Sequence, residues 1–302
     1  MTRVATFAMH QALFGAIGRS QGKLAAAQLH MATGKKATDF AALGPAAAST
    51  LSARSLLARQ DAYKGVAERL GTTLALQDMH LSGVEEAVSS LRTKLLSTVG
   101  TGQSAGLQGA IEEAFGRFRT GLNADEAGRP LFAGSKIDAK AFAPSTLDEI
   151  AGMPAAAAFA NDDVKASAKV EEGQDLTFGI TASEIGSKLF TAFRTLAEAG
   201  AIGNTPTAAQ RTAIESAAGQ INDGLQELRA VWAENGRRQA QVEAATVRSD
   251  ERGLILQELI GRNENANMAE VASTLTGQQA ALEASYAVFA RLSGLSLVNF
   301  LR

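Results

Sequence analysis

The residues whose types and spacing could do chemistry in this chain are few. The only imidazoles are His10, His30 and His80. No two stand at i, i+4, the spacing that puts two ligands on one helix face, and no H-E-x-x-H occurs. Surface or structural roles are the simpler expectation. Ser104 sits in Gly102-Gln103-Ser104-Ala105-Gly106, a formal G-x-S-x-G. A nucleophile elbow needs a strand in front of the serine to hold it on a sharp turn. A long helical stripe precedes this one, so a helix–helix loop is expected. Gly34-Lys35-Lys36 matches only the end of a phosphate loop, because position 29 is Leu and position 36 is neither Ser nor Thr. It reads as a helix terminus. Gly100, Gly102 and Gly106 miss the G-x-G-x-x-G spacing. Asp162, Asp163, Glu171 and Glu172 lack the spacing of a calcium loop and read as solvated acids. No catalytic, cofactor-binding or metal-ligating set emerges, and the expected protein is not an enzyme.

The elements that could position anything are mostly helices. The 302 residues include only 5 % aromatics, one Trp (Trp232), no cysteine and five prolines, none inside a strongly periodic stretch. Without cysteine there are no disulfides and no thiolate metal sites. The net charge of −2, with acids and bases interspersed, gives no polyelectrolyte footprint, so nucleic acid is not an expected partner. No run approaches the roughly 18 apolar residues of a membrane span, and no cleaved secretory signal is expected at the N-terminus.

Apolar periodicity places the helices. Ile17, Leu24 and Met31 recur every seven residues, with Phe7, Leu13 and Phe14 on the same face, predicting a helix from about Val4 to Met31. A second stripe runs from about Pro45 to Val99 through Leu70, Leu74, Leu81, Val84, Val88, Leu91 and Leu95. Ile111, Phe115, Phe118 and Leu122 make a shorter amphipathic helix. From Leu131 to Ile180 the text is irregular, with two short strands expected around Glu171-Glu172-Gly173. Helices resume at the capping box Thr181-x-x-Glu184. Thr205-Pro206 reads as the cap and first turn of another, which carries Ile214, Ile221, Leu225, Leu228 and Trp232. The last stretch repeats Met268, Leu275, Leu282 and Phe289, with Leu292, Leu295 and Phe300 beyond.

The two halves mirror each other, and a hairpin is the simplest fold. The expected class is mainly α, an elongated antiparallel coiled-coil or helical-bundle rod with a small irregular/β insertion in the middle. Three regions follow: terminal helices at 1–40 plus 265–302, a long-helix rod at 41–130 plus 181–264, and a small variable surface domain at 131–180. The residues expected to serve subunit packing are Phe7, Phe14, Ile17, Leu24, Met31, Leu275, Leu282, Phe289, Leu292, Leu295 and Phe300. Two isolated helices are marginal in water, so the surplus apolar face points to copies of the same chain. A soluble coiled-coil signalling or binding bundle is the reading from a different class, but it lacks a visible sensor domain. An enzyme built on the middle segment and Ser104 is more distant.

Local text resembles the bacterial flagellin family, most of all its hook-associated, hook–filament junction branch. Met31-Ala-Thr-Gly34-Lys35-Lys36 resembles the family motif at the end of the first helix. Leu131-Phe-Ala-Gly-Ser135, followed by Ala141-Phe142, resembles the junction branch's approach to its variable region. Leu295-Ser-Leu-Val-Asn-Phe-Leu301 is similar to that branch's C-terminal pattern, where filament flagellins more often end in a leucine-rich form. The chain departs at Leu43-Gly44-Pro45, where the family carries acids, and at Ala37, where it carries Ile. The resemblance implies a structural subunit exported through a type III channel without a cleaved signal. It implies an extracellular place in the flagellum, no cofactor and no membrane insertion. The implied partners are copies of itself, the hook-side junction protein, flagellin and an export chaperone. Filament flagellin is the close alternative.

Overall fold

The computed structural model describes the backbone of residues 2–300 and the side-chain burial of residues 11–291. The chain is mainly helical. Its elements are α1 (Thr2–Thr33), α2 (Ala46–Thr101), α3 (Leu107–Leu122), β1 (Asp125–Glu126), β2 (Arg129–Pro130), α4 (Ala155–Ala158), β3 (Ala166–Glu171), β4 (Gln174–Phe178), α5 (Ala182–Glu198), α6 (Ala208–Glu264) and α7 (Met268–Phe300). Among the described residues no helix is long and apolar enough to cross a membrane. The chain divides into two compact units, one of Met1–Arg59 with Arg252–Arg302 and one of Gln60–Glu251.

In the second unit α2 and α6 run antiparallel. Contacts step down α6 as they step up α2: Lys64 with Asp250, Leu74 with Asn235 and Gln239, Asp78 with Trp232, Glu85 with Arg229. The stripe that predicted α2 is its inner face, since Leu70, Leu74, Leu81, Val84, Val88, Leu91 and Leu95 are all buried. Each such leucine contributes about 1.5–3 kcal/mol on burial, which is how an alanine-rich helix of this length holds its position.

Six of the thirteen phenylalanines gather in one place. Phe115, Phe118, Phe142, Phe159, Phe190 and Phe193 pack ring to ring at centroid distances of 5.3–6.1 Å. α3 and α5 supply four of these rings, and the irregular middle supplies Phe142 and Phe159. Residues 131–180 therefore share the core of their unit, where Leu131, Phe132, Ala133, Phe142, Leu147, Ile150 and Ala158 are buried with α2, α3, α5 and α6.

The strands expected around Glu171 to Gly173 form an antiparallel hairpin, pairing Ala166 with Phe178 and Glu171 with Gln174. Its Val170 and Leu176 bury against Ala67, Leu70, Leu74, Val242 and Ala245. A second, two-residue hairpin (β1–β2) was not legible from periodicity. Its turn, Ala127-Gly128, has positive φ at both residues, the geometry that suits the strand twist. Gly34 ends α1 at φ +66, as a glycine after the last turn is expected to do.

One boundary differs from its sequence expectation. The cap of α6 is Thr207, not Thr205. Gln210 N donates to Thr207 Oγ1 at 3.2 Å, and Thr207 N donates to Gln210 Oε1 at 3.0 Å. That reciprocal pair is a capping box, Thr-x-x-Gln, and it satisfies two orphan amides where Thr205 would satisfy at most one.

Candidate functional site

Two of the candidate chemical groups, Ser104 and Asp162, tie loops together. Ser104 lies in the α2–α3 loop, as its helical context implied. Its Oγ donates to Gly203 O at 2.6 Å and its amide donates to Asn204 O at 3.0 Å, so it ties two loops together. Asp162 is drawn into the Leu131–Ser135 motif. It accepts from Ser135 N at 2.8 Å, from Ser135 Oγ at 2.5 Å and from Val164 N at 3.1 Å. The Ser135 hydroxyl and amide hold its carboxyl below the usual carboxylate range. The same motif is anchored by Ala182 N donating to Phe132 O at 2.9 Å. Asn123, upstream of the motif, makes a reciprocal amide pair with the Phe142 backbone at 2.8 and 2.9 Å. No group of three or more His, Cys, Asp or Glu side chains gathers at metal-binding distance among the described residues.

The feature that stands out is the antiparallel pair of α1 and α7, in the first unit. Along α1 the inward positions are Leu13, Ile17, Ser20, Leu24, Ala27 and Met31, and along α7 they are Val271, Leu275, Gln278, Leu282, Ser285 and Phe289. Both series step by four and three, the repeat of a coiled-coil seam. Only Ile17, Ala27 and Val271 are fully buried. Leu24, Met31, Leu275, Leu282 and Phe289 are half-buried, because one neighbouring helix cannot wrap a seam. Phe14, expected on the packing face, is 59 % exposed and meets the seam only through its ring edge, 5.1 Å from Phe289. The seam position beside it belongs to Leu13. Phe7, Leu292, Leu295 and Phe300 lie outside the residues whose side chains are described, as does the Leu295–Leu301 pattern.

Two polar pairs that periodicity could not show fix the register. Ser20 Oγ donates to Gln278 Oε1 at 3.2 Å, and Gln21 Nε2 donates to the Tyr286 hydroxyl at 2.7 Å. The outer faces of the pair carry large apolar side chains among their charged ones. Leu29, Met268, Tyr286 and Val288 are 43–48 % exposed. An open groove of about 600 Å³ runs between the helices near their Gly34 and Ala266 ends, lined by Ala26, Ala27, His30 and Val271 among others.

At that end the two connectors are bound to each other. Lys35 and Asn265 form an isolated antiparallel bridge, with Lys36 N donating to Glu264 O at 2.7 Å and Ala266 N donating to Gly34 O at 2.9 Å. Glu264 is the centre of this arrangement. Arg54 grips it with two bonds of 2.9 and 2.7 Å, and Lys35 Nζ adds a third at 3.3 Å. The Arg54 guanidinium, ahead of Lys35, keeps the Glu264 carboxyl below its usual range. Sequence reasoning did not find Glu264. Its signal, a lone acid closing a long helix between Asn263 and Asn265, has no periodic signature.

No family model matches the chain, and no curated protein matches it. Solved structures do. A flagellar hook-associated protein of Vibrio parahaemolyticus aligns at 21 % identity with a TM-score of 0.59, covering 72 % of this chain and 97 % of that one. FlgL of Bacillus cereus aligns at 15 % identity with a TM-score of 0.57, covering 70 % of this chain and 99 % of that one. The fold is that of these two flagellar proteins. At such identities the likeness lies in the path of the backbone. Each alignment spans nearly the whole of the solved chain and leaves more than a quarter of this one outside it.

Proposed function

We propose that this chain is a structural subunit of the bacterial flagellum, placed at the junction of hook and filament. The observation that carries the reading is the α1/α7 pair. A seam only half-buried, with further apolar side chains on its outer faces, is an incomplete core. Copies of the chain, packed side by side, complete it. Contacts between unlike faces of identical subunits close into rings or continue as helices, which is how an axial structure grows. The shared fold with two flagellar proteins and the Leu131–Ser135 motif in its tied loop support the same assignment. In this reading residues 1–40 and 265–302 are the assembling part and the Gln60–Glu251 unit is the folded body.

The subunit reaches the cell exterior unfolded, through the flagellar type III channel, with a chaperone covering its apolar termini before export. The absence of cysteine suits that route, since no disulfide can lock the chain early. The neighbours in the finished structure are the hook-side junction protein and flagellin. A deletion strain tests the placement. Cells lacking the chain should carry hooks without firmly attached filaments. Long, firmly attached filaments in that strain would refute the junction position. Purified filaments composed mainly of this chain would instead identify a filament flagellin.

A further inference from the structure

Among the described residues of the first unit, Glu264 is the most deeply buried carboxylate, and it has two cation partners. Its side chain is 7 % exposed, whereas those of its partners Lys35 and Arg54 are 43 % and 50 % exposed. The burial therefore falls on one group. Three segments meet on it: the α1–α2 connector through Lys35, α2 through Arg54, and its own helix end. The backbone bridge between Lys35 and Asn265 lies directly beside it. Arg54 is itself positioned over the Phe40 ring, 5.4 Å from its centroid, so the connector is held at a second point by the same cation. Lys35 Nζ also donates to Asn265 Oδ1 at 2.7 Å, and Asn263 Nδ2 donates to Ser49 Oγ and Thr50 Oγ1 at 3.2 and 3.0 Å, but only at Glu264 does loss of one charge leave two cations facing a neutral buried carboxyl.

From this geometry we infer that Glu264 is an acid-releasable latch fastening the α1–α2 connector to the α6–α7 connector. The inference concerns the first unit alone and does not depend on the flagellar reading. The direction of the effect follows from linkage. A carboxyl held below its unfolded value stabilises the folded form above that value, and the stabilisation is lost as pH falls through the depressed one. Release therefore comes only below the ordinary glutamate range.

The other charges nearby have partners or positions of their own. Lys36 spends its Nζ on Arg262 O at 2.6 Å, and Arg262 is paired with Glu258. Asp39 accepts from Ala42 N at 2.8 Å within the connector. Among the described residues, Lys23 and His30 of α1 and Glu270 of α7 line the groove at the same end, and none of them is hydrogen-bonded or ion-paired to Glu264. His30 takes part in the turn through its backbone carbonyl, accepting from Gly34 N at 2.8 Å.

Amide exchange of the full chain, corrected for the intrinsic effect of pH, tests the latch. The reporters are Lys36 N–H and Ala266 N–H, whose acceptors are Glu264 O and Gly34 O. At neutral pH, Glu264→Gln should lower their protection about tenfold or more, as loss of a charge-assisted pair implies. Amides of α3 and α5 should not change. Arg54→Met should loosen the same two amides. In the unmodified protein their protection should fall as pH drops below the glutamate range, before that of α3 and α5, and in Glu264→Gln this transition should be absent. Unchanged protection in Glu264→Gln would overturn the latch. So would a retained acid transition in that variant, or equal loosening of both units.

Discussion

Gly224→Ala is a sensitive test of the packing, because the same substitution elsewhere on α6 should have the opposite sign. A methyl group built on Gly224 would lie 2.5 Å from Leu189 Cδ2, 2.8 Å from its Cγ and 3.1 Å from its backbone nitrogen. Carbon atoms in a packed core prefer about 3.5–4.0 Å. Rotating the leucine could clear the first two contacts but not the third, so α5 itself would have to move away. Leu189 is fully buried among the core residues of its unit. Overpacking of this kind costs about 1–3 kcal/mol. The helix preference of alanine over glycine returns up to about 1 kcal/mol.

Gly219 and Gly236 lie on the same helix with no atom within 4 Å of an added methyl. Their alanine variants keep the propensity gain and carry no clash. The expected gap between Gly224→Ala and these two controls is about 1–3 kcal/mol, or about 2–4 °C in melting temperature per kcal/mol for a unit of this size. Urea titration followed by circular dichroism, with all three variants side by side, reads it. A Gly224→Ala variant as stable as the controls would show that α5 does not approach α6 this closely, and the account of the core would fail.

Leu282→Ala and Phe289→Ala should separate folding from assembly. Each side chain is half-buried in the single chain, so the monomer should lose no more than about 2 kcal/mol, while a fully covered position in an assembly would lose about 2–5 kcal/mol. Sedimentation should show impaired polymerisation with the melting of the Gln60–Glu251 unit unchanged; equal damage to both would sink the division of labour. Thr207→Ala should destabilise α6 by about 1 kcal/mol through loss of its cap, with Thr205→Ala near neutral; a melting comparison in which Thr205 proved the more costly would restore the other boundary.

Much of the helical framework was legible in the sequence, and the reason is that periodicity survives translation into burial. Leu74, Leu81, Val88 and Leu95 recur every seven residues, and all four are buried. The hairpin at 166–178 was legible from alternation and the Glu172-Gly173 turn. The cap of α6 was misjudged because Pro206 drew attention to Thr205, while the reciprocal bonds needed Gln210. Sequence spacing cannot tell the seam position Leu13 from its exposed neighbour Phe14, one residue away. The groups that bind one segment to another left no trace at all. Asp162 on Ser135, Asn123 on Phe142 and Glu264 on Arg54 are separated by 27, 19 and 210 residues.

The sequence by itself determined that this is a mainly helical chain with apolar stripes in its first and last helices that want a partner. Those are local properties, set by side-chain type and by the 3.6-residue repeat. Only the tertiary structure decided that the scattered phenylalanines of the middle belong to one core, that α1 and α7 cover each other only halfway, and that a buried glutamate meets cations from two other segments beside the bridge between the connectors. Each of these depends on which distant residues meet, and burial, not spacing, gives such meetings their energy.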